Sequence, residues 1–125
     1  NFTKYSFPFA KADALYQKGD YNNAYESYKK YVEQSQDPDT STTARFMMGE
    51  CLFNQQQYDQ AILQYQKIIS INSNHQKAPA ALLKQAEAFE ALKDKETAKL
   101  IYRKLISSYG SSSEATQAQQ RLDKL

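Results

Sequence analysis

The chain has 125 residues, with 16 Lys and Arg against 14 Asp and Glu, a formal net charge of +2, 41% hydrophobic residues and a single cysteine. The charge balance is too small, and its basic residues too scattered along the sequence, to argue for electrostatic capture of nucleic acid or a membrane surface. No apolar run approaches the length of a bilayer span, and one cysteine excludes an internal disulfide. The length is one domain's worth, enough to bury about two thirds of the unfolded surface.

The chain begins at Asn1 without an initiator methionine or a secretory pattern, as expected of a processed form or a piece of a longer protein. Residues 1–9 hold Phe2, Tyr5, Phe7 and Phe9, an aromatic density that suits a cover over the open end of the helices that follow or a stub of a preceding segment. Asn1-Phe2-Thr3 is formally a glycosylation sequon, of little weight at a terminus. Ser6 followed by Pro8 predicts a helix start, and that helix runs to about Lys18, where Gly19-Asp20 breaks it. A second helix is predicted over 21–35. Asp37-Pro38-Asp39 predicts a stop, and the hydroxyls at 40–43 offer caps for a third helix to about Gln55. Further helices are predicted over 58–71, 77–92 and 95–109, with a polar loop at 72–76 and Gly110 at a C-terminal cap. Ser111 and Glu114 have capping-box spacing and open a short last helix with the stripe Ala115, Ala118, Leu122, Leu125. No stretch reads as a strand.

The helices come in pairs with a fixed step. Ala24, Tyr28, Tyr31 recur as Ala61, Tyr65, Ile68 and as Ala98, Tyr102, Leu105, each 37 residues on. Ala12, Gly49 and Ala86 keep the same step, followed three residues later by Leu15, Leu52 and Phe89. Small residues at matched positions let two antiparallel helix axes approach closely, and the large residues fill the seam beside them. Helix pairs at one period predict an all-α solenoid, in which no unit buries its apolar face without a neighbour and the last helix covers the end. The predicted layout is an aromatic segment over 1–9 and one domain over 10–125, with repeats at about 6–38, 42–75 and 77–110 and a cap over 111–125.

The units resemble tetratricopeptide repeats. G-D-Y-x-x-A-x-x-x-Y stands at 19–28 and Y-x-x-A-x-x-x-Y at 58–65, with a period three residues longer than the common one and the extra residues between units. More specifically, 77–125 resembles the C-terminal domain of the YbgF family, also called cell division coordinator CpoB, through K-A-P-x-A-L-L at 77–83 and A-x-x-A-x-x-R-L at 115–122. The Tyr-Pro-x-Ser usual in that family stands here as Ser35-Gln36-Asp37-Pro38, Ile71-Asn72-Ser73-Asn74 and Tyr109-Gly110-Ser111-Ser112. The resemblance implies a right-handed α-solenoid of three helix pairs plus a capping helix. It also implies a periplasmic, non-enzymatic Tol-Pal accessory without cofactor, which coordinates envelope constriction with peptidoglycan synthesis in cell division. TolA is the implied partner, a peptidoglycan synthase a further one, and full-length relatives trimerise through an N-terminal coiled coil. Outer-membrane assembly lipoproteins share much of this grammar, so a generic tetratricopeptide adaptor is the alternative reading, and a structural module that oligomerises through residues 2–9 is another.

Once the seam is assigned, each first helix has a face left over. On the third helix it is Phe46, Glu50 and Phe53, in one line at i, i+4, i+7. One period earlier the same places hold Phe9, Asp13 and Tyr16, and one period later Leu83, Glu87 and Glu90. In an array of the tetratricopeptide kind these rows lie side by side in the groove, which predicts an acidic centre between apolar walls and a partner segment that is apolar and carries Lys or Arg. The bland alternative is that Phe46 and Phe53 are core and the carboxylates a solvated face. A clamp for a C-terminal carboxylate is disfavoured by Phe9, Asp13 and Glu50 in this row. Tyr21, Tyr28 and Tyr31 are expected in the core, and Tyr25 exposed.

Catalysis has little support. His75 stands alone in a polar loop with no partner for a nucleophile–base pair or metal cluster, Asp94 and Glu96 read as turn and cap residues, and Cys51 as a small buried hydrophobe. An RNA-binding helical repeat would need a basic groove where this one is expected to be acidic. Ala61→Leu is expected to overpack the seam of the second pair and cost about 1–3 kcal/mol in chemical denaturation. Glu87→Ala should stay within about 0.5 kcal/mol of the parent, and equal effects would refute this register.

Overall fold

The computed structural model describes residues 9–125. Among them are seven helices and no strand: α1 (Ala10–Gln17), α2 (Tyr21–Gln34), α3 (Pro38–Asn54), α4 (Tyr58–Ile71), α5 (Ala78–Ala91), α6 (Lys95–Ser108) and α7 (Ser113–Lys124). Each packs on its neighbours in the chain, and α7 also reaches back to α5. The result is an α-solenoid of three helix pairs, α1/α2, α3/α4 and α5/α6, closed by α7. The predicted start at Ser6 and Pro8, the sequon at Asn1 and the aromatics Phe2, Tyr5 and Phe7 lie outside the described residues.

The small residues stand where close approach demands them. Ala12, Ala24, Ala61, Ala86 and Ala98 are all buried, as is Gly49. A Cβ built on Gly49 would come within 2.5 Å of Tyr65 Cε1. The ring of Tyr65 thus takes the place that a methyl group occupies in the other two pairs. A further small row, Ala44, Ala81 and Ala118, repeats at the same period and is also fully buried. Ala44 packs in the cluster of α1 and α2, and Ala118 in that of α5 and α6, so this row joins one pair to the next. Tyr25 and Met47 touch both core clusters. Tyr25, expected to be exposed, is therefore half-buried at the join between the first two pairs. Cys51 is buried, and burial, with Glu50 nearby, pushes its thiol up to about 12, as expected of an inert packed residue.

The turns inside the pairs also repeat. Gly19, Gln56 and Lys93, 37 residues apart, all take a positive φ. In each, the next amide reaches back five residues: Asp20 N–H to the Leu15 carbonyl, Gln57 to Leu52 and Asp94 to Phe89, each at 2.9 Å. This is the Schellman closure that satisfies the last carbonyls of a helix, and it needs a left-handed residue, so only the first of the three turns has the residue type best suited to it.

Two boundaries differ from expectation. Asp37-Pro38-Asp39 opens α3 instead of ending α2: Pro38 sits in the first turn, where its missing N–H costs nothing, and the Asp37 carboxylate accepts from the Asp39 amide. α7 is capped by Ser112, not Ser111; the Ser112 hydroxyl accepts from the Ala115 amide. Gly110 follows α6 without a positive φ, so it is not the left-handed cap expected there. His75 has a structural role. The Lys77 amide donates to its Nδ1 at 2.9 Å, which leaves Nε2 to donate to Asp39 Oδ1 at 2.7 Å, tying the α4–α5 loop to the start of α3.

Gly49→Ala should destabilise the protein by about 1–3 kcal/mol, because displacing the fully buried Tyr65 ring outweighs the gain in helix propensity. The measurement is urea denaturation with Gly19→Ala as the comparison, where the added methyl meets nothing and only the left-handed φ is strained.

Candidate partner-binding groove

The first helices α1, α3 and α5 are linked edge to edge on one side by side chains that the repeat register places in line. The Asn54 amide on α3 donates to Tyr16 Oη on α1 at 3.2 Å. Lys84 on α5 sets its Nζ 3.8 Å from the centre of the Phe53 ring on α3, and Lys77 lies 5.0 Å above Phe46. Arg121 from α7 grips Glu90 on α5 with two bonds, Nε to Oε2 at 3.2 Å and Nη2 to Oε1 at 2.9 Å. Eight of the nine predicted groove residues therefore lie on three helices joined in order, and Phe9 caps the first of them, though they do not all present themselves as expected.

Phe46 and Leu83 are only 7% and 6% exposed and belong to the main core cluster, a correction to the reading of both as exposed wall. Phe46 on α3 and Leu83 on α5 are both covered because each of these helices packs against the helix before it and the helix after it, which leaves little free arc. Phe9 is half-buried and packs edge-to-face on Tyr28 and Tyr31 inside the first pair, with ring centres 5.7 and 5.0 Å away. Tyr16 and Phe53 remain half-buried, each edge-to-face with the first tyrosine of its own second helix, Tyr21 and Tyr58.

The acidic row is largely engaged from within. The fully buried Tyr28 donates its hydroxyl hydrogen bond to Asp13, and Tyr65 donates to Glu50 Oε1 at 2.5 Å. In the third pair the buried Tyr102 passes over Glu87 and donates to Glu90, one turn further on, because Arg121 holds Glu90 in place. Glu87 pairs instead with Lys84 at 3.4 Å. Burial, reinforced by the facing carboxylates, pushes all three phenols upward, so they act as donors. Burial also raises the Glu50 carboxyl, although the Tyr65 hydrogen bond and Lys84 partly offset it. At Glu90 burial pulls the same way, but the hydrogen bonds from Arg121 and Tyr102 and the Arg121 charge outweigh it and hold the carboxyl below its ordinary value.

The groove is thus mixed in charge, with Tyr16, Glu50, Phe53, Asn54, Lys84 and Glu87 at its centre. Sequence reasoning missed Lys84, Lys77, Asn54 and Arg121. Lys84 had a readable signal, three residues before Glu87, while the reach of Arg121 back to Glu90 had none. Among the described residues no group of three His, Cys, Asp or Glu could hold a metal ion, and no helix is long and apolar enough to cross a membrane.

Residues 3–68 match the family model described as anaphase-promoting complex, cyclosome, subunit 3, and residues 80–112 match the model described as tetratricopeptide repeat. The chain belongs to this tetratricopeptide-type repeat family. No curated protein matches it. Among solved structures it is similar to PcrH in complex with the chaperone binding region of PopD, at 17% identity and TM-score 0.80, with 99% of this chain and 92% of that one covered. It is also similar to the Arabidopsis OM64 TPR domain, at 21% identity and TM-score 0.75, covering 93% and 91%. These likenesses carry the fold: the tetratricopeptide solenoid accounts for the helix pairing, and the YbgF resemblance is finer than anything they reach.

The opposite shifts of the two glutamates give opposite dependences on pH. Glu90 ionises more readily in the folded protein, so its contribution is present above the ordinary carboxylate value and is lost as pH falls through the lowered one. The stability gap between the parent and Glu90→Gln should be widest near neutrality and shrink on acidification. Glu50, with its raised value, contributes fully below the ordinary range and loses that contribution as pH rises through the folded value. Denaturation midpoints against pH for Glu50→Gln should therefore diverge from the parent on going up in pH.

Proposed function

We propose that this tetratricopeptide domain is a non-catalytic protein-interaction scaffold that receives a partner segment in the groove of α1, α3 and α5. The observation that carries the reading is Lys84 over Phe53, with Glu87 and Glu50 close by. A cation above an aromatic face and backed by carboxylates is the contact that a partner's lysine or arginine would make there, replacing the protein's own. Tyr16 and Asn54 extend the same surface with an aromatic edge and hydrogen-bonding groups. With Asp13, Glu50 and Glu90 already bonded internally, the attraction for a basic partner is concentrated at Glu87 and is weaker than a full acidic row would supply. The similar PcrH fold is described as bound to a region of PopD, which supports a groove of this kind holding a segment of another protein.

The resemblance of 77–125 to the YbgF family narrows the proposal to a periplasmic accessory of the Tol-Pal system in cell division. TolA, whose helical region is rich in Lys and Ala, is then the first partner to test, and a peptidoglycan synthase the second. In that setting the chain is the interaction module of a longer protein trimerised by an N-terminal coiled coil. Amide NMR titration with the periplasmic region of TolA should shift residues around Tyr16, Glu50, Phe53, Lys84 and Glu87. Phe53→Ala should weaken binding about tenfold or more, in line with removal of an aromatic anchor. Shifts confined to the second helices of the pairs would move the site, and no shift at high concentration would remove TolA and with it the Tol-Pal assignment.

A further inference from the structure

The second helices, α2, α4 and α6, carry a different surface on the other side of the solenoid. Between α4 and α6, floored by α5, lies an open cleft of about 310 Å³ whose lining includes Ile62, Leu63, Leu82, Phe89 and Ile101 with Lys104 at its margin. Gln85, buried at its base, uses its side-chain N–H groups internally, donating to the Ile62 carbonyl and to Gln66 Oε1. The equivalent cleft one period earlier, between α2 and α4, has about the same volume, 320 Å³, but its lining mixes Lys29, Glu33, Arg45, Gln64 and Lys67 with Val32 and Met48. The geometry is the same and the chemistry is not. Of these two clefts, that of the second and third pairs is the apolar one.

Leu63 and Leu100, one period apart on α4 and α6, are 60% and 64% exposed, an unusual outlay of large apolar side chains on a free surface. Each is followed four residues later on the same helix face by an exposed lysine, Lys67 and Lys104. The first pair has Glu26 and Lys30 in those places, so the leucine is missing there while the lysine stays. Neither Lys67 nor Lys104 takes part in an ion pair among the described residues, and Arg103, next to Lys104 in the chain, is also exposed. Lys104 stands at the apolar cleft itself, while Lys67, one turn beyond Leu63 on α4, lines the neighbouring cleft, so the repeat period sets one exposed cation on each of the two helices that bound the apolar cleft.

We propose that this face binds an acidic amphipathic segment of a protein partner, with apolar side chains seated between Leu63 and Ile101 and carboxylates against Lys67 and Lys104. Charge complementarity selects an acidic occupant, and the cleft selects one with an apolar stripe. A nucleic acid would satisfy the lysines but would leave the leucines and the cleft unused. The surface is separate from the groove of α1, α3 and α5 and of opposite preference, so one domain can hold a basic segment on one side and an acidic one on the other.

The test uses a dye-labelled synthetic helix with leucines along one face and glutamates along the other, titrated with the whole chain and read by fluorescence anisotropy. Binding should weaken about tenfold or more in Leu63→Glu and in the double variant Lys67→Glu/Lys104→Glu, and should fall with added salt. Phe53→Ala, on the opposite groove, should leave it unchanged. Because Leu63 and both lysines are exposed, the variants should keep the parent's circular dichroism and melting. Absence of binding would overturn the proposal. So would equal binding of a peptide with lysines in place of glutamates, indifference to Leu63→Glu, or preferential binding of a single-stranded RNA oligonucleotide through the same lysines.

Discussion

The structure depends on one contact made three times: a buried tyrosine on the second helix of each pair, donating to a carboxylate on the first. A phenol sealed in a core must find an acceptor, and a carboxylate facing it gains a charge-assisted hydrogen bond worth more than a neutral one. The bond can form only if the two helix axes lie close, and the small residues at 12, 49 and 86 and at 24, 61 and 98 make that possible. Where the space is tightest, at Tyr65, even a methyl group is too much and glycine stands instead. Seam, tyrosine and acid are therefore one device, and the step of 37 residues is the spacing of its copies.

The same device explains why the groove differs from a plain acidic row. Carboxylates that fasten the pairs from the inside are only partly available to a partner outside. The third pair departs from the pattern because the array ends there. α7 occupies the position that a following first helix would take, and its Arg121 recruits Glu90 and the buried tyrosine with it. Glu87 is thereby released to pair with Lys84, which in turn covers Phe53. The character of the candidate site is thus set by how the solenoid is capped.

Repetition has a second consequence on the outer face. One period brings unlike residues to like places, so the clefts between successive second helices share a shape and differ in lining. Where Leu63, Phe89 and Ile101 meet, the cleft is apolar with a lysine at its margin, and where Lys29, Glu33 and Arg45 stand one period earlier it is not. Specificity in such an array is written in the departures from the repeat.

The helix pairs, their step, the seam residues and the cap helix were legible in the sequence, because 3.6-residue periodicity and small-residue spacing are local properties that a helix carries with it. The αL turns were marked by type only at Gly19; Gln56 and Lys93 take the same conformation, with the same closing hydrogen bond five residues back. The burial of Phe46 and Leu83, the choice of Glu90 over Glu87 and the placing of Lys84 above Phe53 were decided by tertiary structure alone. Each depends on the distance between helices remote in sequence, and a single helical face cannot show how much of its arc a neighbour will cover.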